Sequence, residues 1–225
     1  MSTVRCRTGP AGADRSSGPR ESWTKRVNFA PMSRKEPDVE ILHRDARVVA
    51  VAKPAGLTTT RDRWAEDVVT VRDRAEARLA AEEGAEVSLR GVHRLDKETS
   101  GVMIFACDPD AGRDLSRQFR HREVKKDYLA LIAGAPHPAE GTIELRLDRD
   151  PRRPGAMRVV KRHGKVSTTR YRTETRYRGF ALLRVRPETG RTHQIRVHLA
   201  AAGMPLAIDA LYGGEREDIR LSELK

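Results

Sequence analysis

The sequence predicts an α+β domain, and three observations carry that prediction. Strand-like apolar runs crowd the second half of the chain, short turns join several of them, and few stretches show a helical stagger. Strands paired mostly by hairpins argue against a doubly wound parallel sheet, which needs strand and helix to alternate.

Taken in order, the folded part starts at Val39. Val39 to Leu42 and Val48 to Ala52 read as two short strands around His43-Arg44-Asp45. Val68, Val71, Ala75, Leu79 and Ala80 recur at helical spacing, which predicts a helix over Val68 to Glu83 ended by Gly84. Val102 to Ala106 reads as a buried strand. Asp108-Pro109 then supplies an N-cap and a first-turn proline for a helix running to about Arg120. Tyr128 to Ile132, Thr142 to Leu147, Val166 to Tyr177 and Phe180 to Val185 follow as strands, the last two joined by Arg178-Gly179. Thr192 to Ala202 has helical texture and stops at Gly203, with Pro205 just beyond.

The chain has 225 residues, with 44 Lys and Arg against 32 Asp and Glu, a net charge of +12. Such a surplus favours a polyanionic partner. A hydrophobic content of 38% rules out a wholly disordered chain. Cys6 and Cys107 lie far apart with no C-x-x-C, so neither a disulfide framework nor a thiolate zinc site is expected, and a reducing cytoplasm fits. No apolar run reaches the roughly 18 residues of a membrane span. Residues 1–37 hold eight Lys or Arg against three acids and no periodicity, and are expected to form a flexible basic arm ahead of a single domain at 38–225. Residues 146–186 hold fourteen Lys or Arg against three acids. Within them Lys161, Arg162, Lys165, Arg170 and Arg172 are expected to form an RNA surface, against the simpler reading of a solvated strand edge.

Two polar segments stand out. Arg90 to Gly101 packs ionisable groups directly before a core strand, and Thr189 to His198 does so on a candidate helix. A carboxylate beside a guanidinium stays ionised and oriented, as a nucleophilic or general-base Asp must be. Asp96 with Arg94, Arg191 or Arg196 suits that, and an ordinary structural pair explains the same residues.

The string His93-Arg94-Leu95-Asp96-Lys97-Glu98-Thr99-Ser100-Gly101 resembles the catalytic motif of the RluA-type pseudouridine synthases, the large-subunit ribosomal RNA type. Lys53-Pro54-Ala55-Gly56, Lys126-Asp127-Tyr128-Leu129-Ala130-Leu131 and Thr189 to His198 match its other motifs in order, so the resemblance spans about Val39 to Gly214. It implies a mixed, mostly antiparallel curved sheet with flanking helices, and isomerisation of uridine in ribosomal or transfer RNA to pseudouridine without metal or cofactor. It also implies roles. Asp96 is the nucleophile, Tyr128 the ring that stacks on uracil, and Arg196 the cation paired with the aspartate. Arg94 holds the flipped nucleotide, while His93, Lys53, Arg191, His193 and Gln194 lie near substrate.

Met204 and Ile208 stand where the family usually has His and Gly, and the chain ends at Lys225, shortly after Leu211-Tyr212-Gly213. A short C-terminus and an altered loop around Asp209 are therefore expected, and a monomer is favoured. Two other classes compete: an RNA-binding module of the same fold without turnover, and a metal-free ribonuclease using His93, His193 and Lys53.

Overall fold

A computed structural model of the chain describes residues 38–61, 68–213 and 218–224. The expected basic arm at 1–37 lies outside the described residues. The rest falls into two compact units, residues 38–115 and residues 116–224. No helix among the described residues is long and apolar enough to cross a membrane.

The first unit holds a four-stranded antiparallel sheet of β1 (Glu40–Arg44), β2 (Val48–Lys53), β3 (Arg90–Gly91) and β4 (Gly101–Ala106), in the order β1-β2-β4-β3. Helix α1 (Val71–Glu83) starts at Thr70, whose hydroxyl accepts from the Asp73 amide at 3.3 Å while the Asp73 carboxylate accepts from the Thr70 amide at 2.8 Å. This reciprocal cap satisfies two otherwise orphaned donors, so the helix begins here rather than at Val68, which stays exposed. Gly84 ends it at φ +66, a conformation that costs a glycine little. Val71, Ala75 and Leu79 face the core with Val49, Val51, Met103 and Phe105. Val102 is 57% exposed and Ile104 half-buried while Met103, Phe105 and Ala106 are buried, so the strand expected to be buried is open on one face at its start.

Helix α2 (Pro109–His121) follows, its first turn capped by Asp108, whose carboxylate accepts from Asp110 and Ala111 at 2.7 and 2.8 Å.

The second unit is built on a five-stranded antiparallel sheet of β5 (Tyr128–Ala133), β6 (Glu140–Arg149), β7 (Met157–Val160), β8 (Lys165–Tyr177) and β9 (Phe180–Pro187), in the order β5-β9-β8-β6-β7. Residues directly opposite in an antiparallel pair share a face. Tyr128 opposes Val185, which opposes Tyr171, and Ala130 opposes Leu183. These side chains, with Ile143, form the core that helix α3 (Gln194–Ala201) covers through Leu199 and Ile195. Helix α3 begins two residues later than the sequence suggests. His193 takes a left-handed φ of +52, and Gln194 folds back onto Arg191, accepting its amide at 3.1 Å.

Candidate active site

In the first unit the site is a loop held by its neighbour in sequence order. Alternation along β2 buries Val49, Val51 and Lys53 on one face, so the strand ends by placing an ammonium in the core. Lys53 is 1% exposed, and its Nζ donates to the carbonyls of Pro54, Lys97 and Thr99 at 2.9, 2.8 and 2.8 Å. Three N–H groups meet three acceptors, so none is left for a substrate. Lys53 thereby anchors the loop. Burial pulls the ammonium's pKa down, opposed by the nearby charges of Glu98 and Asp96.

The same loop is gripped twice more. The Gly56 amide donates to the Lys97 carbonyl at 2.9 Å, and the Thr59 hydroxyl donates to the Leu95 carbonyl at 2.8 Å. Asp96 is thus flanked by fixed positions on both sides, and its own carbonyl closes a turn by accepting from the Thr99 amide at 3.1 Å. Leu95 is buried beneath it, while Arg94 is exposed beside it. His93 Nε2 accepts from the Ile104 amide at 2.9 Å, so this imidazole extends the β4 hydrogen bonding past the end of β3.

In the second unit the site centres on a guanidinium. Arg196 donates from Nε and Nη2 to the two carboxylate oxygens of Asp209, both at 2.7 Å. Asp209 is 6% exposed and also accepts from the Leu211 and Tyr212 amides at 3.0 and 3.2 Å. These bonds outweigh the upward push of burial and hold its carboxyl below the usual range. The Arg196 guanidinium lies 5.0 Å from the centre of the Tyr212 ring, within cation–π reach. The Tyr212 hydroxyl accepts from the Met157 amide at 2.6 Å and shares a 2.8 Å hydrogen bond with His193 Nδ1. Gly213 completes the turn, where a Cβ would stand 2.8 Å from the Leu206 carbonyl oxygen. The altered segment therefore keeps its carboxylate: Met204 packs in the core, Ile208 is exposed, and Asp209 still points inward.

Gln194 is 4% exposed and saturated. Its oxygen accepts from the Thr189 hydroxyl and Arg191 amide, and its nitrogen donates to the Thr168 carbonyl and Thr169 hydroxyl, all between 2.7 and 3.1 Å. It ties the motif to β8. Arg191 lies beside it with Nε buried and without a hydrogen-bond partner among the described residues. Tyr128 opens β5 on the α3 side of the sheet.

The expected RNA surface divides. Arg170 and Arg172 oppose Arg186 and Arg184, which places all four on the sheet face away from α3 and Tyr128. There Arg170 pairs with Glu188, Arg172 and Arg184 with Glu174, and Arg186 with Asp127. This face is close to neutral and its arginines are paired, so Arg170 and Arg172 fit a solvated sheet face. Lys161, Arg162 and Lys165 are exposed around the β7–β8 turn and have no acidic partner among the described residues. Asp209 and Tyr212 were not among the expected site residues. The Asp-x-x-Tyr-Gly spacing after the helix was their one signal, visible only once Arg196 is known to need a carboxylate.

Residues 47–201 match the family model described as RNA pseudouridylate synthase. The chain is 40% identical over 179 residues to the dual-specificity RNA pseudouridine synthase RluA of Escherichia coli K12, covering 79% of this chain and 78% of that one. It is also 40% identical over 182 residues to the ribosomal large subunit pseudouridine synthase D of Neisseria meningitidis, covering 79% of this chain and 47% of the relative. Among solved structures, human RNA pseudouridylate synthase domain containing 1 superposes with a TM-score of 0.67 at 27% identity, over 83% of this chain and 74% of that one. The chain belongs to the RNA pseudouridine synthase family, isomerases that convert uridine to pseudouridine.

Proposed function

We propose that Asp96 is the nucleophile of this isomerisation, with Tyr128 supplying the ring against the uracil and Arg196 the guanidinium that stabilises the aspartate's charge. The observation that carries the reading is the anchored Asp96 loop, gripped by Lys53, Gly56 and Thr59. All three proposed residues fall inside the matched span 47–201. Attack by the carboxylate on sugar or base accompanies cleavage of the N1–C1′ bond. The uracil turns, C5 bonds to C1′ as the bond to the Asp96 carboxylate breaks and frees it, the C5 proton leaves and N1 takes up a proton. Atoms balance with no redox change, so the chemistry calls only for a nucleophile, a proton path and a site for an extruded base.

Arg94, exposed beside Asp96, suits bracing the place the base vacates, and Arg191 and His193 suit contacts to phosphate or sugar. The substrate class we favour is ribosomal RNA, with transfer RNA second. The name of the Neisseria relative refers to the ribosomal large subunit, and that of the Escherichia relative to dual specificity. Cys6 and Cys107, far apart in sequence, fit action in the cytoplasm.

Asp96→Asn tests the reading, because the amide keeps the carboxylate's shape and is a poor nucleophile. Tritium release from RNA labelled at uridine C5 is expected to vanish while RNA binding persists. Release at the wild-type rate in a clean preparation removes Asp96 from the mechanism.

A further inference from the structure

We propose that Tyr212 is a positioning residue of the reaction and that His193 acts through it, the two together setting the tilt of the Arg196 guanidinium, a reading that rests on the role proposed for Arg196. The pair to Asp209 consists of two bonds in the plane of the guanidinium, so it sets the direction of the fork. It does little to stop that plane from tipping about the fork axis. The Tyr212 ring supplies this restraint, with the Arg196 guanidinium carbon over it at 5.0 Å from the ring centre.

A ring restrains a cation only if the ring is itself held, and Tyr212 is held at both ends. At the backbone end its amide donates to Asp209 at 3.2 Å, and the preceding Leu211 carbonyl accepts from Arg153 at 3.1 Å. At the far end its hydroxyl accepts from the Met157 amide of the edge strand β7 at 2.6 Å and meets His193 Nδ1 at 2.8 Å. A phenol has one proton to give, and the Met157 amide can only donate. The hydroxyl proton therefore goes to Nδ1, and the imidazole carries its own proton on Nε2. Burial raises the phenol's pKa, so the hydroxyl keeps that proton at neutral pH.

The backbone at His193 points the same way. Its φ of +52 is left-handed, which a residue other than glycine adopts at a cost. It stands at the N-terminal boundary of α3, where a side chain ordinarily bonds an amide of the first turn, and its side chain makes no such bond. The ring instead meets Tyr212 edge to face, with centroids 5.6 Å apart and planes at 74°. Strain accepted and a cap forgone place the task of this imidazole on Tyr212 rather than on the helix.

The test uses the full chain with a large-subunit ribosomal RNA transcript and total transfer RNA, both carrying uridine tritiated at C5. Tyr212→Phe keeps the ring and removes the hydroxyl. His193→Asn keeps a polar atom at the place of Nδ1 on a side chain that tolerates left-handed backbone, whereas the longer amide of His193→Gln reaches the place of Nε2. Tyr212→Phe and His193→Gln are each expected to lower kcat about tenfold with KM within about threefold of wild type. His193→Asn is expected to recover most of the kcat that His193→Gln loses. The double variant Tyr212→Phe/His193→Gln is expected to lose no more than either single one, since both break the same brace. Wild-type kcat in Tyr212→Phe, losses that multiply in the double variant, or His193→Asn no better than His193→Gln overturn the proposal. The Nε–H resonance of Arg196, identified by its absence in Arg196→Lys, gives a readout independent of turnover. It is expected to shift in Tyr212→Phe and His193→Gln as the ring moves, and to hold its place in His193→Asn. An unmoved resonance in the first two overturns the proposal whatever the rates. No tritium release by the wild type from either RNA defeats the proposed activity, and the resonance then judges the brace by itself.

Discussion

The Asp96 loop of the first unit and the Arg196 cluster of the second are held in place by buried charges of opposite sign. Beneath the Asp96 loop lies the Lys53 ammonium, bonded only to backbone carbonyls. Behind Arg196 lies the Asp209 carboxylate, bonded to the guanidinium and to two backbone amides. In each unit the hidden charge is opposite to the charge on the proposed reactive side chain. An anion on Arg196 fixes the direction of its fork. The first arrangement orders the main chain on either side of Asp96. The second aims the guanidinium through a two-point pair to Asp209.

Removing the buried anion is expected to have the larger effect. Asp209→Asn leaves Arg196 half-buried beside a neutral amide and breaks a two-point pair, a loss of about 3–5 kcal/mol in buried examples. Urea unfolding at pH 7 measures it, and kcat is expected to fall about a hundredfold as the guanidinium loses its aim. A variant with wild-type stability would show that Tyr212 and the helix alone hold Arg196. The lowered pKa of Asp209 adds a pH dependence. Its contribution is complete above the ordinary carboxylate pKa of about 3.9 and is lost as the pH falls through the lower folded value, so wild type and variant converge only in strong acid.

Removing the buried cation is expected to do less to stability. Lys53→Met spares the desolvation of a charge and leaves the Lys97 carbonyl still bonded to the Gly56 amide. It strips partners from Pro54 and Thr99, a net loss of about 2 kcal/mol. Activity is expected to fall through kcat more than KM, because the loop loses its grip while the RNA surface is intact. A pure KM effect would return Lys53 to the substrate.

Much of this was legible in the sequence. The hairpin strands, the helix ended by Gly84 and the capped start at Asp108 follow from local periodicity and turn chemistry. Edge strand β7 escaped notice because it has four residues behind Arg152-Arg153-Pro154-Gly155 and gains its order from non-local pairing with β6. The site residues were legible as types and less so as roles. Lys53 and Gln194 are polar residues in functional motifs, and only burial shows that every polar group on them is already used inside the protein. Lys53 carried one readable sign, since it continues the Val49-Val51 alternation onto the core face. Arg170 and Arg172 show the converse. Glu188 lies outside the basic run, and Glu174 inside it pairs with both Arg172 and Arg184, a geometry that charge counting along the chain does not show.

The smallest expected effect sharpens the contrast most, because it concerns a buried ionisable group that lacks what Lys53 and Asp209 have. His198 on α3 is fully buried, and neither ring nitrogen has a hydrogen-bond partner among the described residues. Burial pushes its pKa down to about 4, so the imidazole is neutral at pH 7 and takes no part in holding charge. Near pH 7 His198→Leu is expected to change stability by less than about 1 kcal/mol, since an apolar group of similar size replaces polar atoms that bond to nothing. In acid the two proteins are expected to separate. The unfolded chain's histidine binds a proton below its ordinary pKa of about 6.5, whereas the folded one resists until about 4. The wild type is therefore at full stability above pH 6.5 and loses on the order of 2–3 kcal/mol as the pH falls towards 4, a slope the leucine variant lacks at this position. Urea midpoints at pH 7.5, 5.5 and 4.5 read the difference. Parallel curves for the two proteins would mean that His198 finds a partner on protonation, and that its burial, like that of Lys53, is compensated.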